Sequence, residues 1–206
     1  MTDTPPSNRA AVRRERTRNA LITTAGDLLA GGETSATIQN ITDQTDVAVG
    51  TFYNHFSSRE DLYDAAVLAA LLTIEKHTVA IQAQASGDPA EVVSIGIRCF
   101  GRMPEQFPRE TRIVSEAAKF RPLGPAVSDR FRRDVDAAVA AGRFRCDDLE
   151  MTLLLVAGGM TRVITSRISD PSLDIARVDN ATAIALRMLG MDAAEADEMA
   201  HRPLPA

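Results

Sequence analysis

The stretch Thr45-Asp46-Val47-Ala48-Val49-Gly50-Thr51-Phe52-Tyr53-Asn54-His55-Phe56 decides how this chain is read. Thr45-Asp46-Val47 has the composition of a tight turn, and aspartate tolerates left-handed backbone better than most residues. From about Ala48 to His55 the spacing predicts a short helix, because Val49, Phe52 and Phe56 recur at i, i+3 and i+7 on one face. That face anchors the helix and leaves Ala48, Gly50, Thr51, Tyr53, Asn54 and His55 for the outside. A glycine within a helix costs about 1 kcal/mol relative to alanine. Gly50 therefore suits a face that another molecule's surface approaches closely; a fortuitous flaw is the plainer alternative.

Working backwards, Thr37 is placed to cap a second short helix whose inward edge is Ile38 and Ile41. Before it, Leu21, Ala25, Leu28 and Leu29 make the buried stripe of a first helix that begins near Arg9 and is stopped by Gly31-Gly32. Working forwards, Ser58 caps a fourth helix with Glu60 and Asp61 in its first turn, where the helix dipole favours them. It continues through Leu62, Ala66, Ala69 and Leu72 to about Ala85. Two short helices joined by a tight turn and braced by a third form a helix-turn-helix, whose second helix is free to enter a major groove.

With these elements in order, residues 16–66 resemble the DNA-binding domain of the TetR family of regulators. The resemblance rests on Arg16-Thr17-Arg18, Leu28-Leu29, Ile41, Val47, Gly50 through Phe56, and Ser58-Arg59-Glu60-Asp61-Leu62. It implies that Thr37 meets a phosphate and that Gln39 reaches a base or the backbone. It also implies that Ala48, Val49, Gly50 and Thr51 touch base edges, and that Tyr53, His55 and Arg59 bond phosphates, with Asn54 able to do either. Two departures stand out. The turn residue that is often glycine in the family is Asp46, and the recognition helix carries no Arg or Lys for bidentate reading of guanine. Specificity then leans on thymine-methyl contacts by Ala48 and Val49, on Thr51 or Asn54, and on the N-terminal arginines. Each residue has a plainer reading: Tyr53 as a rim residue packed on the first helix, His55 as a surface histidine, the arginines as a solvated helix face.

The totals are those of a soluble protein: 206 residues, 45% hydrophobic and 25% charged. A net charge of -5 argues against coating nucleic acid by charge alone. Arg9, Arg13, Arg14, Arg16 and Arg18 nevertheless crowd the N-terminus against only Asp3 and Glu15, as in a reader whose footprint sits at one end. Cys99 and Cys146 read as free thiols in a reducing compartment. No uninterrupted apolar run reaches the roughly 18 residues of a membrane span, so a cytoplasmic, non-membrane protein is expected. Pro5-Pro6-Ser7-Asn8 marks residues 1–8 as a disordered tail; 9–58 is expected to be the DNA-binding domain and 59–206 a ligand-binding and dimerisation domain.

Beyond the break at Ser86-Gly87-Asp88-Pro89, helices are expected at about 89–102, 109–120, 125–141, 148–167, 179–189 and 193–200. The whole is therefore all-α: a three-helix reader joined by a long fourth helix to a helical body. Only three histidines exist and no catalytic motif or metal-ligand cluster is found, so neither an enzyme, a cofactor nor a metal is expected. Phe100, Met103, Phe107 and Phe120, with Phe131, could line an apolar ligand pocket or fill an ordinary core; the resemblance implies the pocket. Arg98, Arg102 and Arg112 could greet an anion or be surface charges. The helices near 148–167 and 179–189 are expected to form a homodimer interface. Their stripes are Leu149, Thr152, Leu153, Val156, Met160 and Val163, then Ala181, Ile184, Ala185, Met188 and Leu189. Leu154 and Leu155 make the first helix apolar nearly all round, and Gly158-Gly159 admits a second backbone. Internal burial is the alternative. The expected function is a ligand-responsive repressor that binds a palindromic double-stranded DNA operator as a dimer and is released by a small apolar effector. A helical small-molecule-binding or protein-interaction module without DNA binding is the runner-up, and a helical enzyme the third reading.

Overall fold

A computed structural model describes residues 8–119, 125–170 and 172–205. Among them there is no strand, and eleven helices follow one another: α1 (Asn8–Ala30), α2 (Ile38–Thr45), α3 (Val49–Tyr53), α4 (Arg59–Gln82), α5 (Pro89–Gly101), α6 (Met103–Gln106), α7 (Pro108–Ala118), α8 (Pro125–Ala140), α9 (Leu149–Ser169), α10 (Ile175–Met188) and α11 (Ala193–His201). The helices sort into two compact units. One holds the described residues up to Leu72 together with those from Arg109 to the end of α7; the other holds Thr73–Pro108 and the rest of the chain from α8 onward.

In the first unit, α1 contributes Leu21, Ala25, Leu28 and Leu29 to a core completed by Ile41, Phe52, Phe56, Leu62, Tyr63 and Ala66. The diglycine stop acts as expected: the Gly32 N–H bonds the Leu29 carbonyl and the Glu33 N–H the Leu28 carbonyl, with Gly32 at φ 82°. Ile113 and Val114 of α7 join the same core, and Arg109 pairs with Asp27 of α1 at 2.8 Å. So α7 groups with the first unit, and the division between the two units falls within α4, after Leu72. The reason is packing: α7 buries its apolar edge against α1.

In the second unit, α5 is the central helix, burying Ala90, Val93, Ile97 and Cys99. It opens on the expected cap, Asp88 accepting from the Ala90 N–H at 2.9 Å with Pro89 next in line. Around it Val135 and Ala138 of α8, Val156 and Met160 of α9, and Ala183, Ala185 and Leu186 of α10 form one core with α11. Gly190 turns the chain at φ 91°, where a Cβ would lie 1.8 Å from the Arg145 carbonyl oxygen. Only glycine fits there on both counts.

Several boundaries move. Asn8, placed in the tail by the sequence, opens α1. α10 starts at Ile175 because Asp174 caps it, accepting from the Arg177 N–H. α6 was not expected; it is one turn set by Pro104 and closed by the Phe107 N–H on the Met103 carbonyl. α9 is, by length and composition, apolar enough to cross a membrane, with mean hydropathy 1.2 over its best window, which a count of uninterrupted runs does not reveal. Within that helix Arg167 is buried, donating to the carbonyl oxygens of Gly101 and Leu173 and pairing with Glu105.

Candidate nucleic-acid interface

The reader's second helix is held from its first turn. Thr37 stands at the N-cap of α2 in extended backbone and accepts from the Asn40 N–H at 3.2 Å, while the Asn40 side chain accepts from the Thr37 N–H. Both side chains remain exposed, as does Gln39, which donates to Asp43 Oδ1 at 2.6 Å. The turn out of α2 is made by Asp46 in the left-handed region, at φ 55° and ψ 48°, where the family's common glycine would sit without strain. Asp46 takes that conformation and caps α2 through its N–H to the Thr42 and Asp43 carbonyls.

α3 is shorter than the expected 48–55. It runs from Val49 to Tyr53, with Ala48 at an N-cap that offers no side-chain bond. Its end tightens through i to i−3 bonds, Asn54 N–H to Thr51 and His55 N–H to Phe52. Phe52 is fully buried and Phe56 nearly so. The third anchor is Val47 of the turn, which packs on the core, whereas Val49 is only half-buried and is not packed there. Val49 is thus turned further toward the outer face than its spacing suggested, since the helix begins at that residue.

On the outer face, Ala48, Gly50, Tyr53 and Asn54 are exposed and Thr51 and His55 half-buried. A Cβ on Gly50 would meet nothing within 4 Å, so neither packing nor backbone geometry requires glycine. Tyr53 is 56% exposed, its ring edge-on to Phe52 at 5.3 Å. The His55 ring lies 6.5 Å from that of Phe56 and is tilted 43° to it. Desolvation first, then the Arg14 and Arg18 charges, hold its pKa below the usual 6.5 against a small opposing pull from Glu15. At neutral pH it is a neutral donor. Arg59 is engaged elsewhere: it pairs with Glu60 at 3.0 Å, donates to the Ala36 carbonyl at 3.3 Å and lies over the Tyr63 ring.

The cations nearest α3 come from α1. Ala10, Arg13, Arg14 and Thr17, at i, i+3, i+4 and i+7, line one wall of a groove of about 680 Å³ whose other wall is Asp46, Val47, Ala48, Thr51, Asn54 and His55. Arg14 Nη2 donates to the Asn54 carbonyl at 3.2 Å, and the Arg18 guanidinium lies over the Phe56 ring at 5.3 Å. The sequence reading found these arginines but not their shared face; the helical spacing of Ala10 through Thr17 was the available signal.

In the second unit the candidate ligand residues divide. Met103 is buried with Ile74 and Ile164, and Phe100 and Phe107 pack against that small cluster. The His77 ring meets Phe107 edge-on at 5.1 Å, with its Nε2 buried and without a hydrogen-bond partner. Phe120 lies outside the described residues. Arg98 and Arg102 are neither surface charges nor free for an anion: buried Arg98 and half-buried Arg102 both pair with Asp179, at 3.0 and 2.8 Å, while Arg112 is exposed. The stripe expected at a dimer interface also splits. Val156, Met160, Ala185 and Leu189 are spent in the unit's own core, and the apolar face left open is Met151, Leu154 and Leu155 with Ile184 and Met188.

Two family models match the chain. The one for bacterial regulatory proteins of the tetR family covers residues 21–66, and the one for the tetracyclin repressor-like C-terminal domain covers 88–202. Among solved structures, RolR in complex with resorcinol is 30% identical, with 95% of this chain and 98% of that one covered at a TM-score of 0.68. The same protein without ligand matches at 31% identity and 0.68. The ketosteroid transcriptional regulator KstR2 of Mycobacterium tuberculosis shares the fold at 19% identity, with 85% and 95% covered and a TM-score of 0.56. No curated protein sequence matches the chain.

Proposed function

Because the chain belongs to the TetR family, and is therefore a ligand-responsive DNA-binding transcriptional regulator and not an enzyme, we propose that it is a dimeric cytoplasmic repressor. In this reading two α3 helices enter successive major grooves of a palindromic operator. The observation that carries it is the outer face of α2 and α3. Thr37, Gln39, Ala48, Gly50, Tyr53 and Asn54 are exposed on a helix-turn-helix whose inner face is fully spent on its own core. Thr37, Tyr53 and His55 are proposed for phosphates, and Ala48, Val49, Gly50 and Thr51 for base edges, with Gln39 and Asn54 beside them. Arg59, ion-paired with Glu60, is proposed as a weaker phosphate contact than its charge alone suggests.

Dimerisation is proposed through the open apolar face of α9 and α10. Leu154 at 67% and Leu155 at 55% exposure are large apolar side chains that a partner helix would cover, and Gly158 and Gly159 have open space before them.

The effector is proposed to be a small aromatic molecule held in the second unit near Phe100, Met103 and Phe107. The neighbour crystallised with resorcinol, a benzene diol, supports that class. The unsatisfied His77 Nε2 supports a hydroxyl on the ligand, because a buried polar atom without a partner costs about 1–3 kcal/mol. Coupling of about 1–3 kcal/mol between effector and operator suffices for release. The test is titration of resorcinol and related phenols into the protein–operator complex: release by at least one of them is expected. If phenols bind neither the free protein nor the complex, the effector class is wrong.

A further inference from the structure

The recognition helix is poorly equipped to stand alone. α3 spans five residues, has no side-chain N-cap and carries no cation. A helix of that length has no stability of its own and takes its orientation from what it touches. On the inner side that is Phe52 and Phe56. At its C-terminal end it is Arg14, whose guanidinium donates to the carbonyl of the C-cap residue Asn54. A cation at that end satisfies a carbonyl left free by the helix and suits its dipole. One turn further along α1, Arg18 covers the Phe56 ring.

The first turns of α1 are not spent on the core. The first buried residue of the helix is Leu21, and residues 9–16 are all exposed. Arg13 lines the α1–α3 groove with no ion-pair partner among the described residues. Against Arg13 and Arg14 the groove sets one carboxylate, Asp46, so its lining carries a net positive charge with Thr17, Thr51 and Asn54 as neutral hydrogen-bonding groups.

We propose that the projecting N-terminal turns of α1 are a second DNA-gripping element, in which Arg13 holds a backbone phosphate and Arg14 is a positioning residue that fixes the orientation of α3. The inference rests on the DNA-binding reading and adds to it the source of the missing cation. Arg13 contributes sequence-independent affinity. Arg14 acts on discrimination, because a recognition helix released at its C-terminal end presents Thr51 and Asn54 to the bases at the wrong angle.

The test compares the full-length protein with its Arg13→Gln, Arg14→Gln and Arg14→Lys variants. Each is titrated against the footprinted duplex from the DNA flanking its own gene and against a scrambled duplex of equal length, over a series of salt concentrations. Arg13→Gln is expected to weaken binding to both duplexes alike, by about tenfold, and to lower the salt slope by about one. Arg14→Gln is expected to weaken operator binding more than scrambled binding, cutting the ratio between them by about tenfold. In the free Arg14→Gln protein the His55 proton resonance is expected to titrate at higher pH than in the wild type, since a neighbouring cation is gone; Arg14→Lys, which keeps the charge, restores most of that shift. The circular dichroism of each variant shows whether α1 is intact. Wild-type binding with an unchanged operator-to-scrambled ratio in Arg14→Gln overturns the positioning role, as does an unmoved His55 titration. An unchanged salt slope in Arg13→Gln overturns the phosphate grip. Absence of specific binding by the wild type overturns the DNA-binding reading itself.

Discussion

Gly50 and His55 are the residues on which the local chemistry turns. Glycine at position 50 has neither a positive φ nor a neighbour that a Cβ would strike, so the folded protein does not need it. Gly50→Ala is expected to raise stability by up to about 1 kcal/mol, the helix-propensity difference, in a urea titration. The same variant is expected to lose operator affinity if DNA backbone or a base edge approaches that position. A variant more stable and equally tight would remove Gly50 from the interface. For His55 the sign is fixed by its environment. Its folded-state pKa is lowered, first by desolvation and then by Arg14 and Arg18, so between that pKa and about 6.5 the folded chain binds fewer protons than the unfolded one. Its contribution to stability is therefore flat above that window and falls as pH drops through it. A phosphate placed beside the ring favours the protonated form, so DNA binding takes up a proton. Operator affinity is expected to rise as pH is lowered through about 6.5, and His55→Gln to remove that rise. The other two histidines, His77 and His201, belong to the second unit, which isolates the effect.

Helices α1 to α4 were legible in the sequence because their signals are local. The Leu21-to-Leu29 stripe, the diglycine stop, the Thr37 cap and the Ser58 cap act within a few residues, and each is found in place. What escaped was tertiary. The spacing of Val49, Phe52 and Phe56 gave no hint that α3 begins one residue later than expected and hands an anchor's place to Val47. The stripe on α9 gave the apolar residues but not which side the unit's own core claims. The charges Arg98 and Arg102 gave no sign of Asp179, 77 residues away from the second of them. That triad clamps α5 to α10 with side chains no more than 14% exposed. Removing the shared carboxylate leaves two guanidiniums buried without a counter-ion. Asp179→Asn is accordingly expected to cost about 3 kcal/mol, read as an earlier urea transition. The triple variant Arg98→Met/Arg102→Met/Asp179→Leu, which removes all three charges together, is expected to recover part of that loss. If Asp179→Asn unfolds at the wild-type midpoint, the clamp contributes nothing and the pairing is incidental.

At the scale of the whole molecule, specific binding requires two subunits, since one short α3 reads too few bases to distinguish an operator and a second copy doubles the contact. The exposed leucines of α9 tie that requirement to a particular face. Leu154→Glu is expected to yield monomers in sedimentation velocity and to lose specific DNA binding together with dimerisation, while the isolated subunit keeps its helical circular dichroism. A dimer undisturbed by that charge would move the interface elsewhere. The acidic total, -5 over 206 residues, sharpens the remaining question, because a protein of that charge has no general attraction to nucleic acid and must bind through one basic end. The most direct measurement is the affinity of the purified dimer for the DNA flanking its own gene, followed by fluorescence anisotropy over a range of salt with a scrambled duplex alongside. Tight binding confined to a short palindrome is expected, at least about a thousandfold stronger than to the scrambled duplex, with affinity falling steeply as salt rises. Equal, weak binding to both duplexes would contradict it and return the chain to the reading of a helical ligand-binding module.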